Sequence, residues 1–409
     1  MNDAPSHSDV IVVGAGIGGA VLGLALAVRG WSVKILERES APLSIARPEI
    51  LWGATPAALD RLGVGDVLRR QISVRLAGIQ LNHGDRQLLA ISRDVLHRAD
   101  VEAYSTDPSM SRTAIADAAL ATGKVAIVRG AEVHEVIREG GRIVGVRGKR
   151  RDGPFEGRGK LIVGDDGVHS VVRQAIGVEM NPRLFPLDFI TAAIAWPDAL
   201  PVDQVRVWVN PDAFTKGVPA IAMFPWPGRR GALLIPLVHD RADRLLQGGA
   251  DHFWSQLSGL TPVAANLSQQ LRFPEDFKRV RRPYGHATHY VADGAAIIGD
   301  AAHPMSPAGG QGANASIWDA LALAEVAHLA LSGGDLSRRR LSRYEVLRRP
   351  ANARSVRISV RGARAFAIIR RTPALRWLVP AALRTLDRSP WLKQRILSAA
   401  STTFVTRSL

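Results

Sequence analysis

Hydrophobic positions along the chain fall into two spacings. Val10-Ile11-Val12-Val13 is a short continuous apolar run, the mark of a strand buried on both faces. A glycine-rich turn then opens an apolar stretch that stops at Arg29-Gly30, which predicts a helix, and Ser32 to Leu36 is a second short run. Val10 to Val28 holds 19 residues without a charge, about the length that crosses a bilayer. Five glycines within it (Gly14, Gly16, Gly18, Gly19 and Gly23) argue instead for a strand–turn–helix, so the opening reads as a βαβ unit.

Beyond it, residues 53–72 predict a helix with a stop at Leu62-Gly63, and 73–100 alternate apolar and polar as strands do. Ser111 to Ala121 predicts a helix. Lys124 to Val128, Ala131 to Ile137 and Ile143 to Lys149 predict short strands, the last two forming a hairpin, and Lys160 to Val163 a buried strand. Strand-like stretches follow at Phe189 to Trp196, Val205 to Val209, Ala220 to Phe224 and Ala232 to Val238. Then come a helix over Asp240 to Leu260, a strand over Ala295 to Ile298 and a long helix over Gly312 to Leu331. Residues 340–404 read as helices punctuated by Pro350, Pro373, Pro380 and Pro390. The fold class expected is α/β: a Rossmann-like nucleotide-binding domain (1–72, 101–178 and 276–345), an inserted mixed β-sheet substrate domain (73–100 and 179–275) and C-terminal helices (346–409).

Composition narrows the chemistry. At 409 residues with 46% hydrophobic and 22% charged positions, the chain is ordinary globular material, and it holds no cysteine. Disulfides, thiolate metal sites and a cysteine nucleophile are thereby excluded. The polar opening Met1 to Ser8 lacks a signal-peptide pattern, so the expectation is a cytoplasmic protein. The net charge of +16 resides in residues 336–409, which hold 18 Lys/Arg against Glu345 and Asp387. Apolar residues, among them Trp377, Leu378, Leu383, Trp391, Leu392 and Ile396, interleave these cations. Two pictures follow: peripheral membrane contact through the basic tail, or packing of its apolar side on the body with the arginines solvated. A strong arginine excess over lysine (46 to 7) favours the second picture, a compositional one; nucleic acid is not expected as a partner.

Gly14-Ala15-Gly16-Ile17-Gly18-Gly19 matches GxGxxG, and Glu37 ends the second strand 18 residues after Gly19. In that context Gly14 permits the tight turn, Gly16 the approach of a pyrophosphate to the backbone, and Gly19 close helix–strand packing. The pyrophosphate would sit on the helix N-terminus, where free amides and the dipole favour an anion, and Glu37 would accept from a ribose. Two further signatures follow apolar strands: Gly164-Asp165-Asp166-Gly167-Val168-His169-Ser170 through Arg173, and Gly299-Asp300-Ala301-Ala302-His303-Pro304, which runs into Pro307-Ala308-Gly309-Gly310-Gln311-Gly312-Ala313-Asn314. An Asp at a strand end suits hydroxyl recognition. The bare backbone of the Gly-Gly-Gln-Gly stretch suits a flat or anionic group.

This set of motifs, in this order over about residues 9–350, resembles the FAD-dependent aromatic hydroxylases of the p-hydroxybenzoate hydroxylase type, the single-component flavoprotein monooxygenases. The resemblance implies that Gly14, Gly16, Ile17, Gly18, Gly19, Glu37 and neighbouring Arg38 hold the adenosine half of FAD. Arg112, expected at the start of its helix, would lie near the pyrophosphate, and the Val133 backbone beside adenine. Asp166, with Gly167, Ser170 and Arg173, would shape the FAD and NAD(P)H region, and Asp300 would bind the ribityl chain. Pro307, Gly310, Gln311, Gly312 and Ala313 would lie beside the isoalloxazine, and Arg47 would contact flavin or nicotinamide. No catalytic side chain is assigned, because the flavin carries the chemistry. His169 and His303 are expected to be structural, Asp165 a surface or turn residue, and Trp52 and Trp226 core or pocket lining. No metal is expected.

The resemblance further implies that NAD(P)H, as co-substrate, reduces FAD and that oxygen passes to the substrate through a C4a-hydroperoxide. With no second GxGxxG after a strand, NAD(P)H has no Rossmann site of its own in this reading. The strands at 187–238 would roof the substrate pocket with Ile190, Ala192, Ile194, Val207, Ile221, Met223 and Leu234, which suits a small hydrophobic aromatic, quinone-like or polyketide-type substrate. Three alternatives stay open: a flavin halogenase, whose Trp-x-Trp-x-Ile signature is absent; a flavin-dependent reductase of prenyl chains; and a non-catalytic flavin-binding protein at a membrane surface.

Overall fold

The opening segment folds as its spacing requires, with strand His7–Val13, helix Ile17–Ala27 and strand Val33–Glu37. The two strands pair in parallel, Val10 opposite Val33 and Val12 opposite Ile35. The computed structural model describes residues 7–42, 44, 46–213, 217–307, 309–372 and 378–405, with the backbone alone over 362–367 and 369–371. The first sheet runs Val291–Ala292, Ala295–Ile297, Gly153–Gly164, His7–Val13, Val33–Glu37, Val125–Arg129. The predicted hairpin, Glu132–Glu139 with Arg142–Arg150, extends from Gly153–Gly164. That last strand is far longer than the Lys160 to Val163 core the sequence suggested, because its first half is polar and pairs only with the hairpin.

Helix Gln311–Ser332 packs against Ile17–Ala27 on this sheet. It is long and apolar enough to cross a membrane by length and composition, but 67% of its most apolar window is buried in the core. Burying such a helix on a sheet removes two apolar faces from water at once, at roughly 25 cal/mol per Å².

A second sheet of seven strands runs Lys278–Tyr284, Arg183–Ala195, Arg230–Val238, Ala220–Trp226, Gln204–Val209, Gly78–His83, Arg86–Ile91. Strand alternation gives it two faces. Ile190, Ile194, Ile221, Met223, Leu233 and Ile235 point to one side and pack with three helices, His239–Gln247, Gly249–Ser258 and Ala264–Gln270. The single helix expected over Asp240 to Leu260 is broken at Gly248-Gly249, a pair with low helix propensity.

Three other expectations change. Residues 93–98 form a helix, capped by Ser92, where strands were expected. The helix expected from Ser111 begins at Pro108 behind an Asp107 cap, so Arg112 sits one turn inside it. Pro350 does not end a helix: Arg338–Arg371 runs through it. The carbonyl that loses its partner there belongs to Val346, a residue 72% exposed, so that turn faces water. Finally, the chain end returns to the body. Phe404 is fully buried and Leu397 is in the core with Met305, Ala315 and Trp318.

Candidate active site

The cleft lies where the two sheets face each other across the Gly299–Ala313 segment. Its floor is Gly16, Ile17 and Gly18 at the start of the first helix, Asp300, and the Pro307, Gly310, Gly312 and Ala313 loop. Its walls are Arg47, Glu49 and Arg112, and its roof is Phe189, Thr191, Leu234, Val280 and Arg282. The space between these atoms is about 1140 Å³, part of it open to solvent. A smaller cavity, with Ala15, Glu37, Ser109 and Arg129 in its wall, continues past Arg112, which lines both. The two make one groove that runs from the Glu37 end, over the glycine turn, to the roof sheet.

Glycine is required in that turn for a reason the motif alone does not show. Gly14 adopts φ +100°, and a Cβ there would come within 2.3 Å of the Asp165 carbonyl oxygen. A Cβ on Gly16 would come within 2.4 Å of the Asp165 carboxylate. The end of strand Gly153–Gly164 therefore presses directly on the turn. Asp165, expected as a surface or turn residue, is half-buried against the glycine turn: Gly19 N–H donates to its Oδ2 at 2.7 Å. Burial, with the charges of Asp300, Asp166 and Asp319 around it, pushes the Asp165 carboxyl well above the usual carboxylate range, against the opposing bond from Gly19.

Glu37 accepts Ala15 N–H at 2.8 Å on one oxygen and Glu39 N–H at 3.0 Å on the other. A carboxylate offers about four acceptor sites, so capacity is left for two hydroxyls. Arg112 lies in the fields of Glu49 and Glu37. Burial lowers its proton affinity, and those carboxylates offset the loss. Glu49, which no motif singled out, is buried at the cleft wall, where Ser111 Oγ donates to it at 3.0 Å. Burial raises its pKa, and Arg47 and Arg112 pull it back down. Arg47 feels burial first, then repulsion from Arg282, with Glu49 and Asp300 opposing. The wall is thus a balanced set of charges rather than a lone arginine.

Several expected residues take other places. The Arg38 side chain is 73% exposed and pairs with Glu39 at 3.4 Å. The Val133 side chain is packed in the core, whereas the expected contact is one of its backbone. Asp166 accepts Val171 N–H at 2.7 Å and Val172 N–H at 3.2 Å, capping helix Val171–Ala175. The Gln311 side chain turns away from the cleft and donates to the Gly309 and Ala400 carbonyls, both at 3.0 Å. Arg173 joins the two Asp motifs, donating to Ala301 O at 3.0 Å and Val168 O at 2.8 Å. Of the seven roof residues expected to supply the pocket, Leu234 lines it. Ile190, Ala192, Ile194, Ile221 and Met223 belong to the opposite face, since alternate residues on one strand point to opposite sides. Trp52 is buried and donates to Gly309 O at 3.3 Å, and Trp226 is buried beneath the Arg230 guanidinium. His169 is exposed.

Asn314, the last residue of the third motif, and Asp319, outside every motif, hold the backbone at Gly310 and Gly299. Asn314 donates to Gly310 O at 2.6 Å and Ile50 O at 2.8 Å, and accepts from Thr55 at 2.7 Å. Asp319, fully buried, joins His303 Nε2, Gly299 N–H at 3.2 Å, Arg348 Nε at 2.8 Å and Asn352 at 2.8 Å. Arg348 goes on to the Phe404 carbonyl at 2.6 Å. Asp319, set between Trp318 and Ala320 in a run of buried positions, was the available signal. His303 is held by this buried carboxylate, a structural place, as expected if the flavin carries the chemistry.

A groove that joins a glycine-turn helix N-terminus to a roofed apolar chamber defines a dinucleotide-binding enzyme with a separate substrate compartment. The family model described as FAD binding domain matches residues 7–359. The chain is 30% identical over 392 residues to 6-methylpretetramide 4-monooxygenase of Streptomyces rimosus, covering 94% of this chain and 90% of that one. It is 29% identical to the ubiquinone hydroxylase UbiL of Rhodospirillum rubrum, covering 85% and 79%. The crystal structure of p-nitrophenol 4-monooxygenase PnpA from Pseudomonas putida DLL-E4 superposes with TM-score 0.79 at 21% identity, covering 98% and 99%. The chain belongs to the FAD-binding-domain family of aromatic hydroxylases of the p-hydroxybenzoate hydroxylase type; it is a FAD-dependent monooxygenase, with FAD as its cofactor.

The residues fit that cofactor. Gly16 has no side chain to cap the first helix; Gly19 N–H goes to Asp165, while Ile17 and Gly18 stay at the groove with Arg112 beside them. Glu37 keeps free acceptor capacity at one end, and Asp300 lies on the floor toward the other.

Proposed function

We propose that this enzyme uses NAD(P)H and O₂ to hydroxylate or epoxidise a hydrophobic aromatic, quinone-like or polyketide-type substrate held under the second sheet. The observation that carries this reading is the roof. Phe189, Thr191, Leu234 and Val280 lie opposite the Pro307–Gly312 loop and present an apolar surface with one hydroxyl. Bound FAD would supply the redox chemistry, taking reducing equivalents from the nicotinamide and activating oxygen. The chain's own part is to place the substrate under Phe189 and Leu234, exclude water with that apolar wall, and hold the charges of Arg47, Arg282 and Asp300 at its edge. Among the described lining residues the titratable groups are Arg47, Glu49, Arg112, Asp165, Arg282 and Asp300. Among these described lining residues there is no histidine or lysine to act as a base for a phenol.

The similarity to a polyketide-type monooxygenase and to a ubiquinone hydroxylase supports two substrate panels, fused-ring phenols and prenylated quinols. The test is NAD(P)H oxidation stimulated by each panel, with mass spectrometry of the products. A product heavier by one oxygen, with label from ¹⁸O₂, is expected. Stimulated oxidation with a product that gains hydrogen but no oxygen would establish the reductase reading instead.

A further inference from the structure

A second cleft, which shares no lining residue with the catalytic one, lies between the long helix Arg338–Arg371 and the last helix Pro390–Thr402. The space between its lining atoms is about 1440 Å³, part of it open to solvent. Three arginines, Arg354, Arg357 and Arg361, line it at spacings of three and four residues, which puts them on one face of the helix. All three are exposed. Residues 336–409 contain two acids, and both are engaged elsewhere. Glu345 accepts from Tyr290 N–H at 3.1 Å, and Asp387 accepts from Ala90 N–H at 2.8 Å and pairs with Lys393 at 3.2 Å. Among the described residues no carboxylate pairs with the three arginines.

The opposite wall continues this surface in another chemical character. Ala399, Thr402 and Thr403 of the last helix line the cleft. Counting back by helical turns from them leads to Trp391, Leu392 and Ile396, which are 63%, 37% and 49% exposed. The Arg395 guanidinium stands 5.3 Å over the Trp391 ring. Beside it, helix Leu378–Asp387 buries no residue, and Leu378 is 58% exposed. Trp391, Leu392 and Ile396 are exposed within two turns of the one helix whose end lines the cleft with the three arginines. The tail thus divides its apolar residues. Leu397 and Phe404 pack on the body, while Trp391, Leu392 and Ile396 stay in water. Trp377 lies outside the described residues.

We propose that this cleft and the outer face of the last helix form a docking surface for an anionic phospholipid bilayer. Arg354, Arg357 and Arg361 would take headgroup phosphates, and Trp391, Leu392 and Ile396 would enter the acyl boundary. A bilayer uses both halves of the surface at once. A free phosphate or a nucleic acid would use the arginines and leave the tryptophan and aliphatic side chains in water. This proposal is independent of which substrate the catalytic cleft takes.

The experiment uses the full FAD-loaded chain and vesicles of phosphatidylglycerol mixed with phosphatidylcholine, against phosphatidylcholine alone, in co-sedimentation at low and high salt. Truncation of the tail is unsuitable, because Leu397 and Phe404 are core. Binding is expected to the anionic vesicles only, and to weaken on raising salt. With about 1 kcal/mol for each cation at an anionic surface, R354Q/R357Q/R361Q should lower partitioning about 100-fold. W391S/I396S should also lower it, and both variants should keep their FAD absorbance, which shows that they are folded. No sedimentation with anionic vesicles at low salt overturns the proposal, as does binding undiminished in the arginine variant or equal binding to neutral vesicles.

Discussion

Arg282 Nη1 lies 2.8 Å from Asp300 Oδ2, joining a roof strand to the floor of the catalytic cleft. Asp300 ends the segment that belongs to the nucleotide-binding sheet, whereas Arg282 comes from strand Lys278–Tyr284 of the second sheet. Alternation along that strand separates two tasks. Val280 and Arg282 face the cleft, and Arg279 and Arg281 turn to Asp188 on the other side.

The pair makes a first prediction. If Asp300 holds a ribityl hydroxyl, Asp300→Ala removes a charge-assisted hydrogen bond worth roughly 1.5–3 kcal/mol, so FAD affinity should fall about 10- to 100-fold. Arg282→Gln should change FAD affinity less than Asp300→Ala does, since it removes only the partner across the cleft. Fluorescence titration of the apoprotein measures both. Equal losses would show that the ion pair, not the carboxylate, governs binding.

Asp165 makes a pH prediction. Its folded pKa is raised by burial, so between the unfolded value near 4 and the folded value the native state binds more protons than the unfolded chain. Its contribution to stability is fully present below that unfolded value and is lost as pH rises through the folded pKa. Asp165→Asn keeps an acceptor for Gly19 and cannot ionise. Thermal melts of the apoprotein from acid to neutral pH should therefore show a stability gain of the variant over the parent that grows with pH. A difference independent of pH would refute the assignment.

Asp319 is the buried hub for His303, Arg348 and Asn352. Asp319→Ala leaves buried cationic and polar groups without their acceptor, which costs about 3–5 kcal/mol. The expected result is a large loss of stability in urea unfolding, with FAD affinity also weakened because Gly299, next to Asp300, loses its anchor. A loss below about 1 kcal/mol, the ordinary effect of a point substitution, would contradict the role of the network.

Phe189→Ala and Leu234→Ala enlarge the roof without touching the nucleotide groove. Each should raise KM for the preferred substrate and uncouple NAD(P)H oxidation from oxygen transfer, as water gains access, while FAD affinity stays unchanged. Steady-state kinetics with product quantification checks this. Unchanged coupling in both variants would place the substrate elsewhere.

What the chain spelled out locally was the nucleotide half. The apolar run at Val10, the glycine turn and Glu37 lie within one βαβ unit, where short-range rules of strand burial, turn geometry and helix ends decide the structure. The strands within 73–91 and 189–238 were legible in the sequence, but the pattern does not say which face meets the cleft and which the helices. Only the pairing of Phe189 with Val280 and of Thr191 with Leu234 settled that, because cross-strand partners share a face. For the same reason Ile190, Ala192 and Ile194, apolar and well placed in the sequence, belong to the other side. Asp165 was read as a surface or turn residue, and Glu49, Asp319 and Arg282 lay outside sequence reasoning altogether. Their environments are built by partners 16 to 146 positions away, as in His303 with Asp319 and Gly19 with Asp165, and burial of a charge is a property of the assembled core rather than of its neighbours along the chain.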